Sequence, residues 1–182
     1  MKRTVWTFGL ISGAILSAMM LLTMPFVMDG GHEHGMAIGY TTMVLAFLLV
    51  YFGVRSYRDN VAGGTVGFGR ALTVGLLIVV VASSCYVATW ELLYFKLAPD
   101  YATKVEAYMV EQAKAEGGSP EEIRKKVAET REFMEMYRNP AVNVAFTFLE
   151  PLPVGLVFAL VSAGVLSRRR RQAQGGLTAA AG

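Results

Sequence analysis

The sequence predicts an all-α integral membrane protein, a bundle of four spans with an extracytoplasmic amphipathic helical hairpin between spans three and four. Three observations predict it. The 182-residue chain is 54% hydrophobic and 17% charged, with a mean hydropathy of +0.43, far more apolar than a disordered chain. Of its 17 basic and 14 acidic residues, 16 fall within Pro99 to Asn139, which leaves long runs almost free of charge. Those runs, at about 5–28, 36–54, 71–97 and 141–166, each reach the roughly 20 residues that a helix needs to cross about 30 Å of hydrocarbon. Four such helices would leave a soluble chain of this length too little polar surface to cover them.

The first run follows Lys2 and Arg3. It is longer than the roughly 7 to 15 apolar residues of a secretory signal and lacks a small-x-small cleavage site, so it is expected to stay as a span. Gly9, Gly13 and Ser17 lie four apart on it, and Gly155, Ala159 and Ala163 do the same on the fourth run. Stripes of small residues let helices approach closely in lipid, and they make spans one and four expected neighbours. Residues 1–171 read as a single membrane domain and 172–182 as a flexible cytoplasmic tail. The lone Cys85 sits inside the third run, so no disulfide framework is expected.

Lysine and arginine in short loops set orientation. Lys2, Arg3, Arg55, Arg58, Arg70 and the run Arg168, Arg169, Arg170 and Arg171 share one side, whereas the loop with Asp29 and Glu33 has neither residue type. Both termini are therefore expected in the cytoplasm, and the 99–139 segment outside. There Ser119, Pro120 and Glu122 form a helix-start signature after Gly117 and Gly118. Tyr101, Val105, Tyr108 and Met109 before that turn, and Ile123, Val127, Met134 and Tyr137 after it, recur at helical spacing. Two helices with narrow apolar stripes should close on each other. They are read as a solvated cap on the bundle or as a docking element for another envelope protein.

Several segments together resemble a known family. Ser56-Tyr57-Arg58-Asp59, Gly63-Gly64 and Phe68-Gly69-Arg70-Ala71 with Gly75 are similar to the junction between spans two and three of a bacterial membrane family, domain of unknown function 4199. Tyr86, Trp90-Glu91, Pro99-Asp100, Tyr137-Arg138-Asn139-Pro140 and Thr147-Phe148-Leu149-Glu150 with Pro153 and Gly155 extend the resemblance to about Arg171. It implies a small four-span protein common in bacteria and no particular activity; the expected location is the bacterial cytoplasmic membrane. The loop Asp29 to Gly35 and the tail after Arg171 depart from the pattern.

Glu91 and Glu150 are the only acidic residues within the apolar runs. Counted along the helices they lie about 31 Å from Arg70 and about 24 Å from Leu166, both near the outer interface and able to face each other. A carboxylate at that depth is a functional candidate by default; the plainer reading has Tyr86, Trp90 or Tyr94 donate hydrogen bonds to it. Pro151 and Pro153 disturb the helix beside Glu150 and free carbonyls there. His32 and His34, with Asp29 and Glu33, form a weak candidate site for zinc, copper or nickel, to which Met20, Met24, Met28 and Met36 would add soft ligands for cuprous copper. Arg55, Arg58, Arg70 and Arg168 to Arg171 suit anionic lipid headgroups. With no basic face interleaved with aromatics, nucleic acid is not an expected partner.

No nucleophile motif, phosphate loop, dinucleotide fingerprint or zinc-protease signature occurs, so no enzyme and no cofactor are expected. The first functional reading is a non-catalytic membrane protein that acts through its outer hairpin, with the lipid bilayer, an envelope protein or a second copy as partners. The alternative is a small oligomeric transporter, or an ion- or proton-coupled protein, that uses Glu91 and Glu150.

Overall fold

The computed structural model describes the backbone of residues 1–28 and 32–179 and the side chains of 1–25, 35 and 37–167. Among the described residues seven α-helices follow in chain order: α1 (Lys2–Met28), α2 (His32–Asn60), α3 (Phe68–Leu92), α4 (Tyr101–Ala115), α5 (Pro120–Tyr137), α6 (Pro140–Leu149) and α7 (Pro151–Ala179). A π-helical turn, Leu93–Leu97, continues α3. Among the described residues there is no strand.

Four of these stretches are long and apolar enough to cross a membrane: Lys2–Pro25, Ala37–Asn60, Phe68–Leu97 and Pro140–Ser167. Their outward faces carry Trp6, Leu22, Leu45, Val157 and Val161, each more than half exposed. In water that surface would be costly; against lipid it is the expected exterior. The chain is thus an all-α membrane bundle, as the composition indicates. Its core, with Phe47, Val50, Val54, Val74, Ile78 and Ala163 fully or almost fully buried, draws on all four spans.

The spans form a ring in which α1 packs on α2 and α3, and α7 packs on the same two helices from the other side. Spans one and four are therefore across the ring from each other, not the close neighbours expected from their matching stripes. A small-residue stripe specifies close approach but not the partner. Here both stripes close on α3. A Cβ on Gly13 would lie 2.6 Å from the Cβ of Cys85, and one on Gly155 would overlap Val79. Ser17 Oγ donates to the Cys85 carbonyl (3.4 Å), and Thr89 Oγ1 donates to Ser17 Oγ (2.8 Å).

The fourth span is two helices. Pro151 and Pro153 have no N–H for the carbonyls of Thr147 and Leu149, so α6 ends at Leu149 and α7 starts at Pro151, with Glu150 at the break. Toward the opposite end of the bundle, α2 passes into α3 through Gly63 and Gly64, both at positive φ. There Arg58 Nε donates to Asp59 (2.6 Å) and Arg55 lies 3.6 Å from the same carboxylate.

The hairpin is α4 and α5. Gly117 takes φ +75° and the Gly118 N–H reaches the Ala113 carbonyl (3.0 Å), closing α4. Ser119 then caps α5. Its hydroxyl accepts from the Glu122 N–H while Glu122 Oε2 accepts from the Ser119 N–H, the reciprocal capping that the sequence predicts. Glu106 with Arg131 and Glu116 with Lys126 join the helices across exposed edges, and Ala113 is buried between them.

Candidate functional site

The hairpin and the spans share a cavity. Tyr101, Val105, Tyr108 and Met109, the apolar stripe of α4, form one wall of a cavity of about 510 Å³. Leu16, Met19, Met20, Thr23 and Met24 of α1 and Gly39, Thr42 and Met43 of α2 form the facing wall. Tyr86 and Trp90 of α3, Tyr137 of α5, and Thr147 and Glu150 of α6 and its end complete it. The volume is in the range of small-molecule sites, roughly 300 to 1,000 Å³, and so is the character, mostly apolar with a few converging polar groups.

Local geometry explains why those polar groups converge. Asn143, Thr147 and Glu150 follow at spacings of four and three, so they share one face of α6. Asn139 caps this helix through its side chain, which accepts from the Ala141 N–H (3.0 Å), and Pro140 opens it. The fully buried Asn143 donates to the Tyr137 carbonyl (3.3 Å), Thr147 Oγ1 lies 3.3 Å from Asn143 Oδ1, and the Tyr137 hydroxyl lies 2.9 Å from Thr147 Oγ1. This chain of bonds ties the end of α5 to the first part of the fourth span. On the α3 side, the Tyr86 hydroxyl donates to Glu150 Oε2 at 2.9 Å.

Aromatic rings close the arrangement. Trp90 meets Tyr101 edge-on at 5.2 Å and Tyr94 at 5.9 Å, and Tyr94 meets Tyr137 at 5.5 Å. The π-helical turn places Leu93 and Tyr94 together in the interior, since one extra residue in the turn rotates its successors. Burial pushes the Tyr101 phenol up to about 12, with Tyr137 and Glu150 adding to the effect. Burial likewise raises Tyr137, opposed by its bond to Thr147. Both hydroxyls therefore stay neutral, able to donate or accept. No lysine or arginine is among the lining residues described.

The structure divides the residues singled out from the sequence. Tyr86 bonds Glu150 and Trp90 lines the same cavity, whereas Tyr94 stands behind it as ring support. Glu91 does not line the cavity, and its Oε1 is buried without a hydrogen-bond partner. The two glutamates are not brought together there. Counting along the helices estimates depth, and depth does not fix direction around the helix. In the basic patch, Arg58 is buried and turned to Asp59, while Arg70 borders a shallow recess with Ala62 and Val66. Asp29, His32, Glu33 and His34, together with Arg168, Arg169, Arg170 and Arg171, lie outside the residues with described side chains. Met20 and Met24 line the cavity wall.

Tyr101 and Tyr137 were legible as hairpin stripe residues but not as cavity walls. The missed signal is the face of α6: Asn143 and Thr147 ahead of Glu150 mark a polar stripe in an otherwise apolar helix.

The family model for a protein of unknown function, DUF4199, matches residues 7–168. No curated protein and no solved structure matches the chain.

Proposed function

The chain belongs to the DUF4199 family of proteins of unknown function, and from its capped cavity we propose that it is a non-catalytic ligand-binding protein of the bacterial cytoplasmic membrane. Both termini are cytoplasmic in this reading, and the hairpin is an external roof. The observation that carries it is the direction of the α4 stripe. Tyr101, Val105, Tyr108 and Met109 look across a void at the methionines of α1 and α2, when a simple solvated cap would have packed those side chains shut. Methionine walls adapt to ligands of different shape.

A hydrophobic fluorophore tests the proposal. Nile red, a neutral dye, should bind purified protein saturably, and Gly39→Trp should abolish that signal without unfolding the chain. Gly39 lines the cavity, and a Cβ there meets nothing within 4 Å, so the indole has room to occupy the void. Equal binding by both proteins would remove the cavity from the account.

A further inference from the structure

We propose that the occupant of the cavity is a freely diffusing lipophilic organic cation, held by Glu150 as its counter-charge and by the faces of Trp90, Tyr101 and Tyr137. The inference rests on the capped cavity described above and assigns it a ligand class.

Charge complementarity points to the cation. Glu150 opens onto the cavity with one hydrogen bond, from Tyr86, and no lysine or arginine is among the described lining residues. A carboxylate at the edge of an apolar bilayer is costly when it has no countercharge. A positive ligand would supply it. The rings argue for an organic ion over a hydrated metal: Trp90 lies 5.2 Å from Tyr101, and Tyr137 joins both through Tyr94. Their electron-rich faces attract ammonium-like groups within about 6 Å of a ring centre. Met19, Met20, Met24 and Met43 opposite them offer an apolar bed for the body of such an ion.

Alkylammonium groups also occur on phospholipid headgroups. These bring a phosphate that needs its own cationic partner, and the described walls provide none. The free cation satisfies the site as it stands.

Tetraphenylphosphonium and tetraphenylborate, which share size and shape and differ in the sign of their charge, provide the test. Binding is read in nanodiscs by quenching of Trp90 in full-length protein carrying Trp6→Phe, with empty nanodiscs as the blank. The expected result is saturable binding of the phosphonium, none of the borate, and a loss of about tenfold or more in phosphonium affinity in Glu150→Gln. Nile red binding should be unchanged in that variant, which shows that the fold is intact, and Glu150→Asp should retain the preference for the cation. Equal binding of the two ions, or no effect of Glu150→Gln while Nile red still binds, overturns the cation class and leaves the cavity reading standing. Loss of Nile red binding by the unaltered protein would sink the cavity reading itself. Phosphonium affinity should be the same in phosphatidylcholine nanodiscs and in nanodiscs of an uncharged galactolipid, neither of which carries a net surface charge; a severalfold loss in phosphatidylcholine would show a lipid headgroup competing for the site and overturn the free ligand.

Discussion

Single residues decide the polarity of the cavity. Glu150 attracts attention in the sequence as a carboxylate within an apolar run, and two prolines beside it announce a disturbed helix. What its neighbours are is not legible there, because Tyr86 lies 64 positions away in the chain and only the packing of α3 on α6 brings them together. Glu91 shows the converse, since its equal standing in the sequence rested on depth alone. Tyr101 gives a residue-scale prediction. Burial favours the neutral phenol, so its contribution to stability is full below the ordinary tyrosine value of about 10 and is lost as pH rises from there toward about 12. An ultraviolet difference titration should contain a late-ionising component that Tyr101→Phe removes. A titration curve that Tyr101→Phe leaves without loss of a late component would mean that the ring faces water and not the cavity.

At the level of elements, helix boundaries were the most legible part of the fold. Ser119, Pro120, Glu122 and the glycines before them define the hairpin turn through local chemistry, and the structure shows each bond that chemistry requires. The hairpin's ion pairs are exposed, and pairs of that kind contribute little individually. Their pH dependence nevertheless has a definite sign. The hydrogen bond from Arg131 holds the Glu106 carboxyl below its usual range, and the backbone of Ser119 does the same for Glu122. Their stabilising effect is present above about 4.3 and is lost as pH falls through the lower folded values. Acidification should thus loosen the hairpin before the spans, and Arg131→Ala should flatten that dependence in thermal melts followed between neutral and acidic pH. An unchanged pH profile in Arg131→Ala would show that the pair does not hold the hairpin.

Helix partners were less legible than helix ends. The stripes on α1 and α7 are chemically alike, and nothing in either one says that both face α3. The contact of Gly13 with Cys85 tests the arrangement. Gly13→Leu forces a side chain into a 2.6 Å approach, with an expected cost of about 1–3 kcal/mol by overpacking. Cys85→Ala in the same protein should recover part of it, because it removes the sulfur that the leucine meets. Additive effects of the two changes would place Gly13 away from α3.

On the scale of the whole molecule, the charge distribution already separated apolar spans from a charged hairpin, and that division holds in three dimensions. The cavity did not show, because it is made by four spans and the hairpin together, with no contiguous segment contributing more than one wall. The hairpin thereby changes meaning. Its charged face remains at the surface, but the apolar stripe of α4, with Tyr137 of α5, belongs to the interior of a site. An envelope partner for the hairpin would have to use the other face, so cap and docking surface are separable roles.

Alkylation of single cysteines tests the roofed cavity most directly. In a Cys85→Ser background, Tyr108→Cys places a thiol on the α4 face that lines the cavity, and Glu129→Cys places one on the exposed face of α5. A water-soluble maleimide should modify position 129 quickly and position 108 slowly, and saturating Nile red should slow position 108 further without affecting position 129. Equal rates at both positions, unaltered by the dye, would contradict a ligand cavity beneath the hairpin.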